Sequence, residues 1–232
     1  DIGLVGLAVM GENLALNLEQ KGYRVSLYNR LRENSPQAVD SFLANKGKNK
    51  HFIGTHSPKE FIESLKSPRK ILLMIRAGHP VDEMITTLLP FLKKGDTIID
   101  GGNSDYRDTQ RRENELREKG IFFVGCGISG GEEGALHGPS IMPGGSDEIK
   151  KEILPVLQNI AVHLDDGTPC CSWIGPDGSG HFVKTVHNGI EYGDMQLIAE
   201  AYSLLNILQK GDHEATAQTF ESWNKGVLDS YL

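Results

Sequence analysis

The chain has 232 residues, of which 38% are hydrophobic and 24% are charged, and its formal net charge is −7. This composition is typical of a globular protein, and the negative charge argues against a nucleic-acid partner. No stretch reaches the roughly 18 apolar residues that a membrane-spanning helix needs. The first residues also lack the basic flank and apolar segment of a signal peptide, so we expect a cytoplasmic protein.

The cysteines are too few for a disulfide framework. They are Cys126 and the adjacent pair Cys170 and Cys171. None forms the paired spacing that holds a metal, so we expect small buried thiols and no metal site.

Short apolar segments alternate with helix-like segments through the first three quarters of the chain. Strands are predicted at residues 2–5, 24–28, 70–75, 97–99 and 121–124. Helices are predicted at residues 10–21, 36–46, 80–92 and 105–119. This alternation is typical of an α/β fold, a Rossmann-type, doubly wound and mostly parallel sheet with helices on both faces. Ligands bind such sheets at the carboxyl ends of the strands.

The pattern changes near residue 175, where residues 174–180 contain three glycines and a proline. Helical patterns then cover residues 181–209 and 213–232, with no strand signal. We therefore predict a dinucleotide-binding domain at residues 1–175. Residues 176–232 are expected to begin an all-helical domain that continues beyond this chain, because their apolar faces have little here to pack against.

The turn after the first predicted strand reads Gly6-Leu7-Ala8-Val9-Met10-Gly11. It joins a strand to a helix, which is the setting of the dinucleotide-binding turn. Gly6 permits the tight turn and Gly11 permits close packing, so that amide groups at the helix start face the pyrophosphate. Ala8 replaces the usual middle glycine, and a merely structural turn remains an alternative reading of this motif.

The residues after the second strand favour NADP over NAD. An NAD site usually has an acidic residue here to bind the adenosine 2′-hydroxyl. This chain instead has Asn29 and Arg30. Asn29 carries no charge to repel a 2′-phosphate, and the Arg30 guanidinium is suited to pairing with one, a role that Arg32 can share.

Further glycine-rich segments follow the later strands. Arg76 and Ala77 follow one strand and Asn103 follows the next, where small neighbours let a nicotinamide ribose approach the backbone. Residues 125–145 are interpreted as a long glycine-rich loop whose amide groups bind anions. It includes the turn Ser129-Gly130-Gly131.

The predicted helix after residue 180 carries four polar residues on one face. Lys184, His187, Asn188 and Glu191 follow the spacing i, i+3, i+4 and i+7. Lys184 and Glu191 stand two turns apart, about 10 Å along the axis, which suits a general base and a general acid acting on one extended substrate. A solvated helix face is the alternative, although Gly189 is costly in such a helix.

The other side of this helix is expected to belong to the core. It carries Phe182, Val183, Val186 and Ile190. His187 has no second ligand at a metal-binding spacing, so no metal is expected there.

Four motifs closely resemble the 6-phosphogluconate dehydrogenase family. They lie at residues 6–11, 100–104, 138–145 and 184–192, and the resemblance extends along essentially the whole chain. It implies oxidative decarboxylation of 6-phosphogluconate to ribulose 5-phosphate, in the pentose phosphate pathway, with NADP as hydride acceptor. Lys184 matches the family's general base, and Glu191 matches the acid that protonates C1.

The resemblance also implies the binding sites. Substrate-binding positions are matched by Asn103, Ser129, Gly130, Gly131, His187 and Asn188, with Tyr192 as a phosphate contact. Asn29 and Arg30 match the 2′-phosphate site, but Leu31 stands where some members carry a hydroxyl residue, so one bond is expected to be missing. Family members are about twice as long and form homodimers through the helical domain, so this chain alone is expected to turn over little.

Two other functions remain open. A β-hydroxyacid dehydrogenase acting on a small unphosphorylated acid shares the turn and the helix lysine, but Glu191 and residues 138–145 argue against it. The second alternative is a non-catalytic NADP-binding module. Such a module does not require the pair of Lys184 and Glu191, which argues against it for the full-length protein, but it is a stronger alternative for the isolated chain.

Overall fold

The computed structural model describes residues 1–30, 38–226 and 228–229. Leu31, Arg32 and the start of the helix predicted at residue 36 lie outside the described residues. The chain divides into two compact units, Asp1–Thr185 and Val186–Leu232.

The first unit contains a seven-stranded sheet. Its strands are β1 (Ile2–Val5), β2 (Val25–Tyr28), β3 (Phe52–Thr55), β4 (Lys70–Leu73), β5 (Thr97–Asp100), β6 (Phe122–Ser129) and β7 (Ser140–Gly145). Its helices are α1 (Val9–Gln20), α2 (Ala38–Ala44), α3 (Pro58–Glu63), α4 (His79–Leu88), α5 (Tyr106–Arg117), α6 (Gly131–His137) and α7 (Asp147–Ile160).

The strand order is β3-β2-β1-β4-β5-β6-β7, and only the pairing of β6 with β7 is antiparallel. Strand order therefore reverses between β1 and β4, the position where doubly wound sheets bind dinucleotides. The predicted Rossmann-type sheet is confirmed.

Apolar side chains form one core on each face of this sheet. On one face α1 and α7 supply Leu14, Leu18, Ile153 and Leu157, among others. On the other face α3, α4 and α5 supply side chains that include Phe61, Val81, Met84, Leu88 and Leu116. The central strands β1, β2, β4 and β5 are buried from both sides, which explains their largely apolar sequences.

The sequence prediction missed strand β3 and helix α3. Strand β3 is a short edge strand that contains Gly54, where a β-carbon would lie only 2.6 Å from Leu43. Short half-exposed strands with glycine give a weak signal. Helix α3 has six residues and begins after Ser57, whose hydroxyl accepts a hydrogen bond from the Glu60 amide.

Residues 125–145 are not the long loop that the sequence indicated. Strand β6 continues to Ser129, α6 follows, and β7 returns antiparallel to β6. Pro143 lies inside β7, where it is tolerated because β7 is the last strand of the sheet. Helix α7 was also missed, because no element was assigned beyond the supposed loop.

Two further helices complete the described chain. They are α8 (Ser179–Leu208), which begins in the first unit, and α9 (His213–Asn224). The expected core face of α8 is wrong for this chain: Phe182, Val186 and Ile190 are 47–63% exposed, and Val183 is half-buried. No helix among the described residues is long and apolar enough to cross a membrane.

The expectation of buried thiols holds for two of the three cysteines. Cys126 and Cys171 are buried, and burial raises the pKa of the Cys171 thiol to about 12. Cys170 is exposed, and its thiol donates to the Ser140 hydroxyl at 3.2 Å.

A buried arginine joins α5 to the start of α4. Arg112 is 1% exposed and binds Asp82 through two bonds, from Nε at 2.8 Å and from Nη2 at 3.0 Å. Its Nη2 also donates to the Gly78 carbonyl at 2.9 Å. The bonds that Asp82 accepts from Arg112 and from Arg111 lower its pKa from 3.8 to about 2.

The Asp82 interaction makes stability depend on pH. Because the folded-state pKa is the lower one, the stabilisation is present above about pH 4 and is lost as pH falls toward 2. We expect Asp82→Asn to lower the free energy of unfolding by about 1–2 kcal/mol at pH 7, after allowance for solvent screening, and by about half of that near pH 3. Urea unfolding at both pH values measures this difference.

Glu63→Gln is the matched control, since Glu63 forms an exposed pair with Lys59 at 3.9 Å. It should change stability by less than about 0.5 kcal/mol. A loss in Asp82→Asn that is equal at both pH values would contradict this explanation.

Candidate functional site

A cleft of about 840 Å³ opens at the carboxyl ends of β1, β2 and β4. It lies where the strand order reverses. Its lining includes Gly6, Leu7, Ala8, Asn29, Arg30, Arg76 and Glu83. The sequence predicted six of these residues as cofactor-binding, but it did not predict Glu83.

The turn between β1 and α1 requires its glycines. Gly6 has a φ of +100, and a β-carbon there would overlap the Met74 carbonyl of the neighbouring strand end. A β-carbon on Gly11 would overlap the Gly6 carbonyl. Helix α1 begins at Val9 with no side-chain cap, so the amides of its first turn, which includes Met10, are open to an acceptor such as a phosphate.

Asn29 and Arg30 follow β2 at the edge of the same cleft. The Asn29 side-chain oxygen accepts a hydrogen bond from the Leu7 amide at 3.1 Å, so Asn29 holds the turn as well as lining the cleft. The Arg30 guanidinium is 61% exposed and contacts the Glu83 carboxylate at 2.5 Å. Arg30 is therefore accessible from the cleft but already has an acidic neighbour.

The remaining cofactor candidates lie on neighbouring segments. Arg76 is exposed at the end of the β4 segment and lines the cleft. Ala77 and Asn103 are not among the described residues that line it. Ala77 is half-buried beside Arg76, and Asn103 is exposed just beyond β5.

A buried carboxylate shapes the segment that carries Asn103. Asp100, at the end of β5, is fully buried. Its oxygens accept hydrogen bonds from the Gly102 amide at 3.0 Å and from the Ser104 hydroxyl at 2.6 Å. Arg112 Nη1 lies 3.7 Å away. These bonds fold the backbone tightly on both sides of Asn103.

The predicted substrate turn lies beyond the neighbouring strand. Ser129 ends β6, and Gly130 and Gly131 lead into α6, with both glycines exposed. Since β5 and β6 are parallel neighbours, Asn103 and this turn occupy the same edge of the sheet. Buried Asn17 of α1 donates to the Ala135 carbonyl at 3.1 Å, which holds α6 in place.

Lys184 lies against β6. The side chain is 7% exposed, and a β-carbon added to Gly127 would lie 2.5 Å from the Lys184 β-carbon. A β-carbon on Gly180, one turn earlier, would overlap the carbonyl oxygens of Gly125 and Met142. The helix and the strands therefore approach as closely as backbones allow, and this approach fixes Lys184 near the carboxyl end of β6.

The sequence did not single out His181, which is buried one turn before Lys184. Its Nδ1 lies 2.7 Å from the Thr109 hydroxyl of α5. Burial lowers the pKa of His181, and the nearby Asp100 carboxylate opposes that shift. A clue was available, because His181 and Lys184 are spaced i and i+3 and so share a helix face.

The other residues of the predicted helix stripe belong to the second unit. His187 Nδ1 lies 3.2 Å from the Asn188 side-chain oxygen and 3.6 Å from a Glu191 carboxylate oxygen. Glu191 is exposed, and Tyr192 is 65% exposed. Within the part of the chain that the structure describes, no group of three histidine, cysteine or acidic residues is placed to hold a metal ion.

Two family models match the chain. The model described as "NAD binding domain of 6-phosphogluconate dehydrogenase" matches residues 1–175. The model described as "6-phosphogluconate dehydrogenase, C-terminal domain" matches residues 180–232.

Curated relatives agree with these matches. The chain is 55% identical to the decarboxylating 6-phosphogluconate dehydrogenase of Candida albicans over 232 residues, which is the whole chain and 44% of the relative. It is also 55% identical to the NADP(+)-dependent, decarboxylating enzyme of Bacillus subtilis over 231 residues, covering 48% of that relative. The chain thus spans about half the length of the curated relatives it matches.

Solved structures show the same likeness. The chain resembles Plasmodium falciparum 6-phosphogluconate dehydrogenase with a TM-score of 0.89 and 44% identity, over the whole chain and 49% of that protein. It also resembles Mycobacterium tuberculosis 3-hydroxyisobutyrate dehydrogenase, with a TM-score of 0.73 and 21% identity over 97% of the chain and 70% of that protein. At this identity the likeness shows a shared fold alone. On the family matches, which together cover nearly every residue, the chain belongs to the 6-phosphogluconate dehydrogenase family.

Proposed function

We propose that the full-length protein containing this chain catalyses the NADP-dependent oxidative decarboxylation of 6-phosphogluconate to ribulose 5-phosphate and carbon dioxide. The observation that carries the proposal is the burial of Lys184 against β6, on the sheet edge that also forms the dinucleotide cleft. The names of the curated relatives support the same reaction.

The cleft fits a dinucleotide with a 2′-phosphate. The open start of α1 offers amide donors to a pyrophosphate, and Arg30 offers a guanidinium where Asn29 brings no negative charge. The Bacillus subtilis relative is named NADP(+)-dependent, and the Plasmodium falciparum enzyme was solved with NADP+. When bound, NADP supplies the acceptor for the hydride that leaves C3 of the substrate.

Lys184 takes the role of general base in this proposal. It removes the proton of the C3 hydroxyl as hydride leaves C3, which produces a β-keto acid. The role of base requires that the buried Lys184 amine be uncharged before it takes the proton. A β-keto acid loses carbon dioxide without a metal when its carbonyl oxygen receives a proton or a hydrogen bond. Protonated Lys184 can supply that proton.

Glu191 takes the role of general acid. It follows Lys184 by seven residues in the sequence, a spacing that corresponds to one helix face and about two turns. In this role Glu191 protonates C1 as the enediol becomes the ketone of the product. The base then acts on the oxygen at C3 and the acid on a carbon, so the two act on different atoms of one extended sugar chain.

The substrate-binding residues complete the proposed site. They are Asn103, Ser129, Gly130, Gly131, His187, Asn188 and Tyr192. We also propose that residues 1–175 form the NADP-binding domain, that the helical domain starts at residue 176, and that the full-length protein is a cytoplasmic homodimer. The large exposed apolar side chains of α8, such as Ile190, Leu197 and Ile207, support further packing of the helical part.

The proposed role of Lys184 can be tested in the full-length protein. Lys184→Met should lower kcat by about 100- to 10,000-fold with 6-phosphogluconate, because general acid–base catalysis contributes that much. The dissociation constant for NADP should change little. NADPH formation at 340 nm and calorimetric titration measure the two effects.

Lys119→Met is the control for Lys184→Met, since Lys119 is an exposed lysine just beyond α5. It should leave kcat unchanged. A Lys184→Met protein that keeps more than a tenth of the parental kcat would exclude Lys184 as the base. Turnover of 3-hydroxyisobutyrate without turnover of 6-phosphogluconate would instead establish the rival hydroxyacid dehydrogenase.

The proposed 2′-phosphate contact can be tested at Arg30. Arg30→Ala should weaken NADP binding by about 10- to 100-fold, because this is the loss of affinity expected when a hydrogen bond to a charged group is removed. NAD binding should change by less than about threefold, because NAD lacks the phosphate. Equal losses for NADP and NAD, measured by calorimetric titration, would contradict the assignment.

A further inference from the structure

The guanidinium proposed to bind the 2′-phosphate is held by an acidic residue of the same cleft. Glu83 lies in the second turn of α4, and one of its carboxylate oxygens is 2.5 Å from Arg30 Nη1. Its other oxygen lies 3.4 Å from His79 Nδ1. Both Arg30 and Glu83 line the cleft. The Arg30–Glu83 pair is therefore a feature of the cleft and not of a remote surface.

The pair has a consequence for nucleotide choice. A 2′-phosphate carries nearly two negative charges, and it must share the guanidinium with the Glu83 carboxylate or displace it. A 2′-hydroxyl carries no charge and can donate a hydrogen bond to a carboxylate, the device by which NAD sites recognise the ribose. NAD sites usually have their acidic residue after β2, where this chain has the uncharged Asn29. Glu83 of α4 instead places a negative charge in this cleft.

We propose that Glu83 competes with the 2′-phosphate for Arg30 and so limits the preference of the site for NADP over NAD. This inference rests on the proposed function, in which the cleft binds NADP. Glu83 is 40% exposed and Arg30 61% exposed, so their pair is weak enough for a phosphate to break. The competition lowers NADP affinity without abolishing it.

Glu83→Gln tests the proposal in the full-length protein, with dissociation constants for NADP and NAD measured by calorimetric titration. The expected result is NADP binding about three- to tenfold tighter than in the parent, because the substitution frees Arg30 to bind the phosphate. NAD binding should change by less than about twofold, since a glutamine oxygen still accepts a hydrogen bond.

Glu115→Gln is the matched control. It removes the same charge from another exposed ion pair with an arginine, outside the cleft lining as described. It should leave both dissociation constants unchanged. If Glu115→Gln raised NADP affinity by the same factor, the gain would come from the change in net charge, and the proposal would be overturned.

The double variant Arg30→Ala with Glu83→Gln separates competition for Arg30 from direct repulsion. Compared with Arg30→Ala alone, it should bind NADP with less than a twofold gain, because there is no guanidinium left to free. If Glu83→Gln bound NADP as the parent does, or more weakly, the proposed competition would be overturned. The proposal that the cleft binds NADP would still stand. A parent protein that binds neither nucleotide would overturn the proposed function itself.

Discussion

The first turn of α8 lies directly against the backbones of β6 and β7, and the candidate active site depends on this approach. Gly180 faces the carbonyl oxygens of Gly125 and Met142, and any side chain there would overlap them. Gly127 leaves the space that the Lys184 stem occupies. Lysine is rarely buried to 7% exposure, and here the glycines at positions 127 and 180 provide the space for the close approach.

Buried polar contacts link the helix turn before this lysine to α4, which lines the cleft, within the first unit. His181 contacts Thr109 on α5 at 2.7 Å, and Arg112 on the same helix binds Asp82 of α4. Arg112 also lies 3.7 Å from Asp100, whose carboxylate folds the segment that carries Asn103. One helix, α5, therefore contacts the turn that precedes Lys184, the segment that carries Asn103 and the start of α4.

The sequence predicts those parts of the fold and site that rest on local patterns. Three features can each be recognised from a few neighbouring residues: the turn after β1, the pair Asn29 and Arg30, and the polar helix face that begins at Lys184. Strand β7 was missed because Pro143 and its glycines resemble a loop, and only its place at the sheet edge makes them acceptable. Glu83 was missed because its partner Arg30 lies 53 residues away, and a contact at that separation leaves no local pattern. His181 contacts Thr109 across 72 residues, so only its helical spacing from Lys184 could have been recognised in the sequence.

The most direct test of the close approach is the kcat of full-length Gly127→Ala with 6-phosphogluconate, measured with its NADP dissociation constant. A β-carbon there would lie 2.5 Å from the Lys184 β-carbon, so α8 must shift. We expect kcat to fall at least about tenfold, because a displacement of about 1 Å costs that much or more, with NADP binding within about twofold of the parent. Gly134→Ala is the control, since its β-carbon would meet its nearest neighbour at 3.9 Å. A parental kcat in Gly127→Ala would contradict the account.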